Sequence, residues 1–390
     1  MPLTLQEPEH ITMIRDSVRR LLAKQFPIES AAQWDKDDRI PREVMQPFID
    51  LGVYAMAVPE EYGGLGVDFR AVMAVIEELA TRSAILSGLY IQTAIYGSFN
   101  VLAAGSEGQK RALLPRLANG ELLFAYGLSE PNVGADLASV QTRAVRRGDR
   151  VIVNGAKRWC SGADIADYIY ALVRSGGPEE RRNNLSLLLI PPKAKGISIT
   201  TTSTMGMRGV STCDVNFDEV ELPFEETVVG GEAGWNQGWS LLAGPTLEAE
   251  KVQVPAMAVG IGQAALDEAW GYAQERRQFG VRICAHQSVR HLLVEAKTKL
   301  MACRLMLDRC TDLVASNLPS AVETSMAKLF VAETVREIVL DCQRVLGAYG
   351  YAEGFQMERL VRDVLVLPIW GGSSAIQKNN LANLLKLPRD

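Results

Sequence analysis

The period of the hydrophobic pattern changes twice along the 390 residues, and the order of those changes restricts the fold more than any single motif does. Up to about residue 120 apolar residues recur at helical spacing. Ile11 to Lys24 mixes apolar and charged positions at that period, and Pro41 to Leu51 opens on a proline suited to a first helical turn. Val67 to Thr81 follows a Gly-Gly-Leu-Gly turn, and Gln109 to Ala118 closes the series. From Leu122 to about Gly230 short alternating or β-branched runs take over, at Val151 to Val153, Tyr168 to Val173, Leu185 to Ile190 and Cys213 to Leu222. Asn154-Gly155 reads as a hairpin turn, which would put Trp159-Cys160-Ser161 on a returning strand, and Gly176 to Asn184 reads as an exposed loop tip. Helical spacing returns from Gly238 onward. Met326, Phe330, Thr334, Ile338 and Cys342, each four apart, predict a long bundle helix. The expected fold is mainly α with a central β domain: an N-terminal α-helical domain over 1–120, a middle, β-barrel-like domain over 121–235 and a C-terminal four-helix bundle over 236–390.

Composition narrows the function classes. With 47% apolar and 22% charged residues the chain reads as a soluble globular enzyme, and its net charge of −5 gives no general attraction to nucleic acid or to anionic membrane. The amino terminus from Met1 to His10 lacks the basic and apolar segments of a secretory signal, so a cytoplasmic location is expected. The uncharged run from Ser83 to Ser106 is long enough to span a membrane. Gly88, Gln92, Thr93, Gly97, Ser98 and Asn100 interrupt it, however, which favours a buried helix pair, one that could also line a greasy pocket. Six cysteines without any C-x-x-C suggest reduced thiols, and His10, His286 and His291 lack the spacing of a zinc site.

Two segments carry the chemistry. Leu128-Ser129-Glu130-Pro131-Asn132-Val133-Gly134-Ala135-Asp136 is followed at a fixed distance by Asn154-Gly155-Ala156-Lys157-Arg158-Trp159-Cys160-Ser161. A Pro/Gly loop beside an aromatic and a small hydroxyl suits the border of a flat ring, which needs polar partners at one edge and an apolar wall over its face. Singly, the segments read equally well as an ordinary turn and an ordinary core aromatic. Further blocks stand in register with them: Pro59 to Gly64, Met205 to Thr212, Arg276-Arg277-Gln278-Phe279-Gly280, His286-Gln287 and Leu346 to Tyr351. Together they make the chain resemble the acyl-CoA dehydrogenases over essentially its whole length.

The resemblance implies FAD held by Tyr126, Leu128, Ser129, Ala135, Trp159 and Ser161. Arg276, Phe279 and Gln287 would hold its pyrophosphate and adenosine across a dimer interface, with further contacts from Arg344, Gly347, Ser373 and Ala375. It implies substrate contacts at Ala135, Lys251, Trp370 and Gly372, a homotetramer built as a dimer of dimers, and an electron-transferring flavoprotein as electron acceptor. Two departures stand out, Ala135 where the family usually has serine and Arg344 where it usually has glutamine. Ser373 and Ser374 after two glycines would also suit a plain turn.

Forming a double bond between the α and β carbons of a thioester requires a base for the α-proton, a hydride acceptor such as flavin N5, and donors for the enolate-like oxygen. Most family members place the base at the position that is Gly371 here, and a glycine cannot abstract a proton. A second family arrangement, found in isovaleryl-type and long-chain-type members, puts the glutamate on the first long helix of the C-terminal bundle, which corresponds to Glu250. Glu248 competes locally, but two residues on a helix means roughly 200° of rotation, so both cannot face one site. Glu250 could instead be a solvated residue paired with Lys251. The Gly371 backbone N–H remains able to polarise the thioester carbonyl.

The implied reaction takes a saturated acyl-CoA or related acyl thioester to its trans-2-enoyl form. Trp370 and the uncharged Ser83 to Ser106 segment suggest an apolar acyl group. A carrier-protein thioester, a flavin monooxygenase of the same fold and a non-catalytic flavoprotein are the alternatives. Returning the acid to position 371 in a chain lacking Glu250 is expected to restore part of the rate.

Overall fold

In the computed structural model, residues 7–177 and 179–388 are described; the first six residues, part of the stretch read above for a secretory signal, lie outside them. Chain entry is helical: α1 (Glu9–Gln25), α2 (Ile28–Asp37), α3 (Gln46–Asp50), α4 (Phe69–Arg82), α5 (Ala84–Thr93), α6 (Asn100–Ala104) and α7 (Glu107–Ala118). Helix α1 forms as its pattern predicts, burying Ile11, Val18 and Leu22 on one stripe. Asp68 caps α4 by accepting from the Ala71 N–H, and Ser106 and Gln109 close a reciprocal capping box on α7.

The predicted helix pair between Ser83 and Ser106 is instead one continuous rod. Helix α5 runs through a π-helical stretch, Ala94–Phe99, directly into α6. Nothing in the sequence breaks the backbone there, and the widened turn absorbs the polar interruptions without ending the helix.

Seven strands follow: β1 (Phe124–Gly127), β2 (Arg143–Arg147), β3 (Arg150–Lys157), β4 (Tyr168–Arg174), β5 (Leu185–Ile190), β6 (Ile197–Thr202) and β7 (Thr212–Pro223). They form one sheet in the order β1-β4-β2-β3-β7-β6, with β5 paired to β4. Asn154-Gly155 is not a hairpin. Strand β3 passes straight through it, and the tight turn lies earlier, at Gly148-Asp149 between the paired residues Arg147 and Arg150. The register against β7 shifts by one residue between Val153 and Gly155, with Glu219 on β7 at φ 48°. Asn154 seals that bulge, its Oδ1 accepting from the Glu219 N–H at 2.9 Å. Glycine is required at 155, because a Cβ there would stand 2.7 Å from the Thr142 backbone. The Trp159 to Ser161 triplet therefore follows the end of β3 and does not lie on a returning strand.

Short helices α8 (Phe224–Thr227) and α9 (Gly238–Leu242) lead into the bundle of α10 (Pro245–Glu275), α11 (Gln287–Ala315), α12 (Ala321–Leu346), α13 (Gln356–Val364) and α14 (Ser374–Leu384), with the two-stranded hairpin β8 (Arg277–Gln278) and β9 (Val281–Arg282) between α10 and α11. The four-residue stripe on α12 is only half buried. Ile338 and Cys342 are in the core, whereas Met326 and Phe330 are exposed, because steps of four residues drift about 40° around an α-helix. No helix among the described residues is long and apolar enough to cross a membrane.

Helix α10 positions the site. Val252, Ala256, Val259 and Ile261 are fully buried, and it packs on α4, α11 and α12 at once. Its first turns thereby lie near the π-helical stretch, which itself packs on β1.

Candidate active site

The two motif segments of the middle domain are joined by hydrogen bonds that the sequence does not announce. Glu130-Pro131-Asn132-Val133 closes a tight turn, with the Glu130 N–H donating to the Val133 carbonyl at 2.8 Å. The Glu130 side chain turns inward. Its carboxylate accepts from the Gln141 N–H at 2.7 Å, the Thr142 N–H at 2.8 Å and the fully buried Lys157 Nζ at 2.9 Å. Lys157 also donates to the Leu128 carbonyl at 3.1 Å, and the Arg158 N–H donates to the Ser129 carbonyl at 2.9 Å. Burial pushes the Glu130 carboxyl up, but Lys157 and the backbone donors outweigh it and hold the group below the usual carboxylate range.

Beside this clamp Trp159 stands at φ 62° with its ring 53% exposed and the Arg158 guanidinium 4.7 Å from its centroid. The Ser161 carbonyl accepts from Gln92 of α5 at 2.7 Å. An open indole face together with the short hydroxyls of Ser129 and Ser161 fits the border of a flavin ring. Ala135 is exposed, next to an Asp136 that pairs with Arg181.

Glu250 lies on α10 with its Oε1 sealed from solvent and without a protein partner. Burial raises its carboxyl to about 7, against a smaller opposing pull from the neighbouring Tyr126 hydroxyl. Tyr126 in turn stacks on Tyr96 at 3.8 Å and on Tyr170 at 5.5 Å between ring centroids. Glu248 faces elsewhere, as the 200° rotation requires: Lys251 Nζ reaches it at 2.9 Å and Thr324 donates to its other oxygen. The pairing of Lys251 with Glu250 weighed from sequence is thus absent, and the buried Lys251 ammonium belongs to Glu248.

Gly371 lies opposite this face of α10. Its φ is 57°, and a Cβ there would stand 3.2 Å from Cγ2 of Val254, one helical turn beyond Glu250. Position 371 therefore points at the surface from which Glu250 projects. The same geometry argues against returning the acid to this position. Gly371→Glu in a Glu250→Gln background should not restore rate, because a side chain there combines a left-handed backbone with a tight contact. Even Gly371→Ala should lower stability by about 1–2 kcal/mol, readable as a lower Tm.

Around Gly371, Trp370 is half-buried and Gly372 is exposed, with its carbonyl accepting from Gln377 at 3.2 Å. Ser373 caps α14, accepting from the Ile376 N–H at 3.4 Å, and Ala375 is exposed. The remaining expected cofactor residues lie at helix ends of the bundle and on the hairpin between α10 and α11. Arg276 sits 5.5 Å from the Tyr349 ring centroid, Phe279 is 94% exposed, Gln287 and Gly347 are exposed, and Arg344 pairs with Asp341 at 3.0 Å.

Sequence reasoning missed Tyr96, Asn100, Lys157 and Tyr170. Asn100 and Lys157 carried a usable signal, as polar residues inside segments that otherwise read as buried.

Comparison with known proteins agrees along the whole chain. Residues 8–121, 125–220 and 236–385 match the N-terminal, middle and C-terminal domains of acyl-CoA dehydrogenase. A 3-(aryl)acrylate reductase of Clostridium sporogenes is 33% identical over 94% of this chain and 97% of its own length. A cyclohexane-1-carbonyl-CoA dehydrogenase of Geobacter metallireducens is 30% identical over 95% and 96%. The crystal structure of an acyl-CoA dehydrogenase from Geobacillus kaustophilus superposes with a TM-score of 0.92 at 27% identity, covering 98% of this chain and 100% of that one. With all three domain models matched in order and the fold shared end to end, the chain belongs to the acyl-CoA dehydrogenase family of oxidoreductases acting on CH–CH bonds.

Proposed function

We propose that this protein oxidises a saturated acyl thioester, with acyl-CoA as the substrate class, to its trans-2-enoyl form, with Glu250 as the base for the α-proton. The observation that carries this reading is a carboxylate whose Oε1 is sealed from solvent without a partner, one helical turn from the Val254 side chain that the glycine replacing the usual acid approaches. The Gly371 N–H is the proposed donor to the thioester carbonyl, and Ala135, Trp370 and Gly372 border the substrate.

FAD fits the Leu128-Ser129 and Trp159 to Ser161 border and, when bound, supplies the hydride acceptor. Tyr126, on β1 beside that border, is proposed to contribute to it. Arg276, Phe279 and Gln287, with Arg344, Gly347, Ser373 and Ala375, are proposed to complete the cofactor site across a subunit interface. Exposed Val294, Met301 and Leu305 on α11 and Met326 and Phe330 on α12 form apolar rows of the kind that association covers, consistent with a dimer of dimers. An electron-transferring flavoprotein is the proposed electron acceptor. The cytoplasm is the proposed location.

Anaerobic mixing with a panel of acyl thioesters tests the function directly. Bleaching of the flavin by one of them is the expected result, and a flavin that stays oxidised until an external reductase and oxygen are supplied would support a monooxygenase instead. The rate of bleaching should rise with pH through about 7, since Glu250 is protonated and inactive below its raised pKa and ionised above it. Arg276→Ala should release FAD on dilution while leaving the helical circular dichroism unchanged, because a half-buried guanidinium at the end of α10 is proposed to hold phosphate and supports little of the fold.

A further inference from the structure

Ahead of Gly371 the chain turns as a helix would, up to one rung. The Trp370 N–H donates to the Val366 carbonyl at 3.1 Å, four residues back, so the next rung would join the Gly371 N–H to the Leu367 carbonyl. That bond is missing. The Leu367 carbonyl is taken by Lys328 of α12, whose Nζ donates to it at 2.9 Å. The rung after it is displaced too, since the Pro368 carbonyl accepts from the Ser374 N–H at 2.9 Å, and the Ser374 hydroxyl donates to Glu333 of α12 at 2.6 Å. The Gly371 N–H is left without an acceptor among the described residues.

We propose that Lys328 is a positioning residue for the Gly371 N–H: by occupying the Leu367 carbonyl it keeps that N–H out of the helical ladder and free for the thioester oxygen. This rests on the reading of Gly371 as the donor to the thioester carbonyl. Residue 371 does not keep its N–H free by itself, because glycine adopts right-handed and left-handed turns about equally readily, and its φ of 57° is only one of the two. A buried carbonyl, by contrast, must be paired, and Leu367 is fully buried. Without Lys328, the donor that continues the ladder to it is the Gly371 N–H. Lys328 is itself wholly enclosed, and a hydrocarbon side chain would fill that space without a desolvation penalty, so the bond to Leu367 is what its ammonium contributes. Enclosure pushes the ammonium down to about 8, and the neutral amine still carries protons to donate, so the carbonyl stays occupied on both sides of that value.

Lys328→Met keeps much of the side chain's length and removes the donor. Hydrogen exchange of the holoenzyme, read by mass spectrometry on the peptide around residue 371, should find the Gly371 amide fast in wild type and roughly tenfold slower in the variant, where it joins the Leu367 carbonyl. Flavin reduction at saturating acyl thioester should slow at least about tenfold while the thioester dissociation constant rises less, since a donor to this oxygen gains strength as charge builds on it. The carbonyl stretch of an isotopically labelled trans-2-enoyl thioester, read by infrared difference, should fall on binding to wild type and fall less on binding to the variant. Should Lys328→Met fail to fold, Lys328→Gln, whose amide nitrogen stands one bond shorter than the lysine's, carries the same comparisons. A Gly371 amide already protected in wild type would overturn the proposal without any variant, and so would a variant whose exchange and reduction rate are both unchanged. Slower exchange at an unchanged rate and stretch would instead sink the reading of Gly371 as the donor, with the hold of Lys328 on Leu367 upheld.

Discussion

Glu250→Gln should bind acyl thioester as wild type does while its flavin is reduced at least about 10²-fold more slowly, the usual scale of lost general-base catalysis. The substitution keeps the shape of the side chain, so binding and fold are preserved and only the proton acceptor is lost. Stopped-flow reduction under anaerobic conditions, set beside a substrate titration, separates the two effects. Glu248→Gln is the control: its carboxylate is committed to Lys251 and Thr324, so reduction should stay near the wild-type rate. Normal reduction by Glu250→Gln would put the base elsewhere.

Lys157→Met should be the most destabilising single change near the cofactor border. The ammonium is wholly enclosed, and its loss strands the Glu130 carboxylate in the core with only the Gln141 and Thr142 N–H groups. Breaking a buried pair from one side costs roughly 3–5 kcal/mol, far more than an exposed pair is worth. Thermal unfolding should show it as a large drop in Tm. FAD content should fall with it, because the Leu128 carbonyl loses its anchor. The double variant Lys157→Met with Glu130→Gln removes the stranded charge and should regain most of the stability. A single variant that melts within about 1 kcal/mol of wild type would show that the pair does not hold this segment.

The exposed rows on α11 and α12 explain why one helix was read correctly and its buried face was not. Spacing of four marks Met326 to Cys342 as helical, yet the drift of such a row carries Met326 and Phe330 out of the subunit core while Thr334, Ile338 and Cys342 stay in it. Asn154-Gly155 misled in a related way. The dipeptide suits a hairpin, but β7 lies alongside β3 and pairs through it, so the local preference is absorbed as a bulge. The run from Ser83 to Ser106 was legible as buried and helical. Its π-helical turn, which lies where the rod meets β1 and α10, has no mark in the local sequence.

What the sequence determined by itself was whatever depends on near neighbours: the helix-to-strand-to-helix order and the long helix of the bundle. Only the tertiary structure decided which carboxylate on α10 stays without a charged partner, that Glu248 is held by Lys251 and Thr324, and that Lys157 and Glu130 clamp the two motif segments together. The Lys157–Glu130 pairing joins residues 27 positions apart, and the Thr324–Glu248 contact joins residues 76 apart. The chain carries no local mark of them, since a buried charge or phenol takes its partner from whatever the packed core leaves within reach.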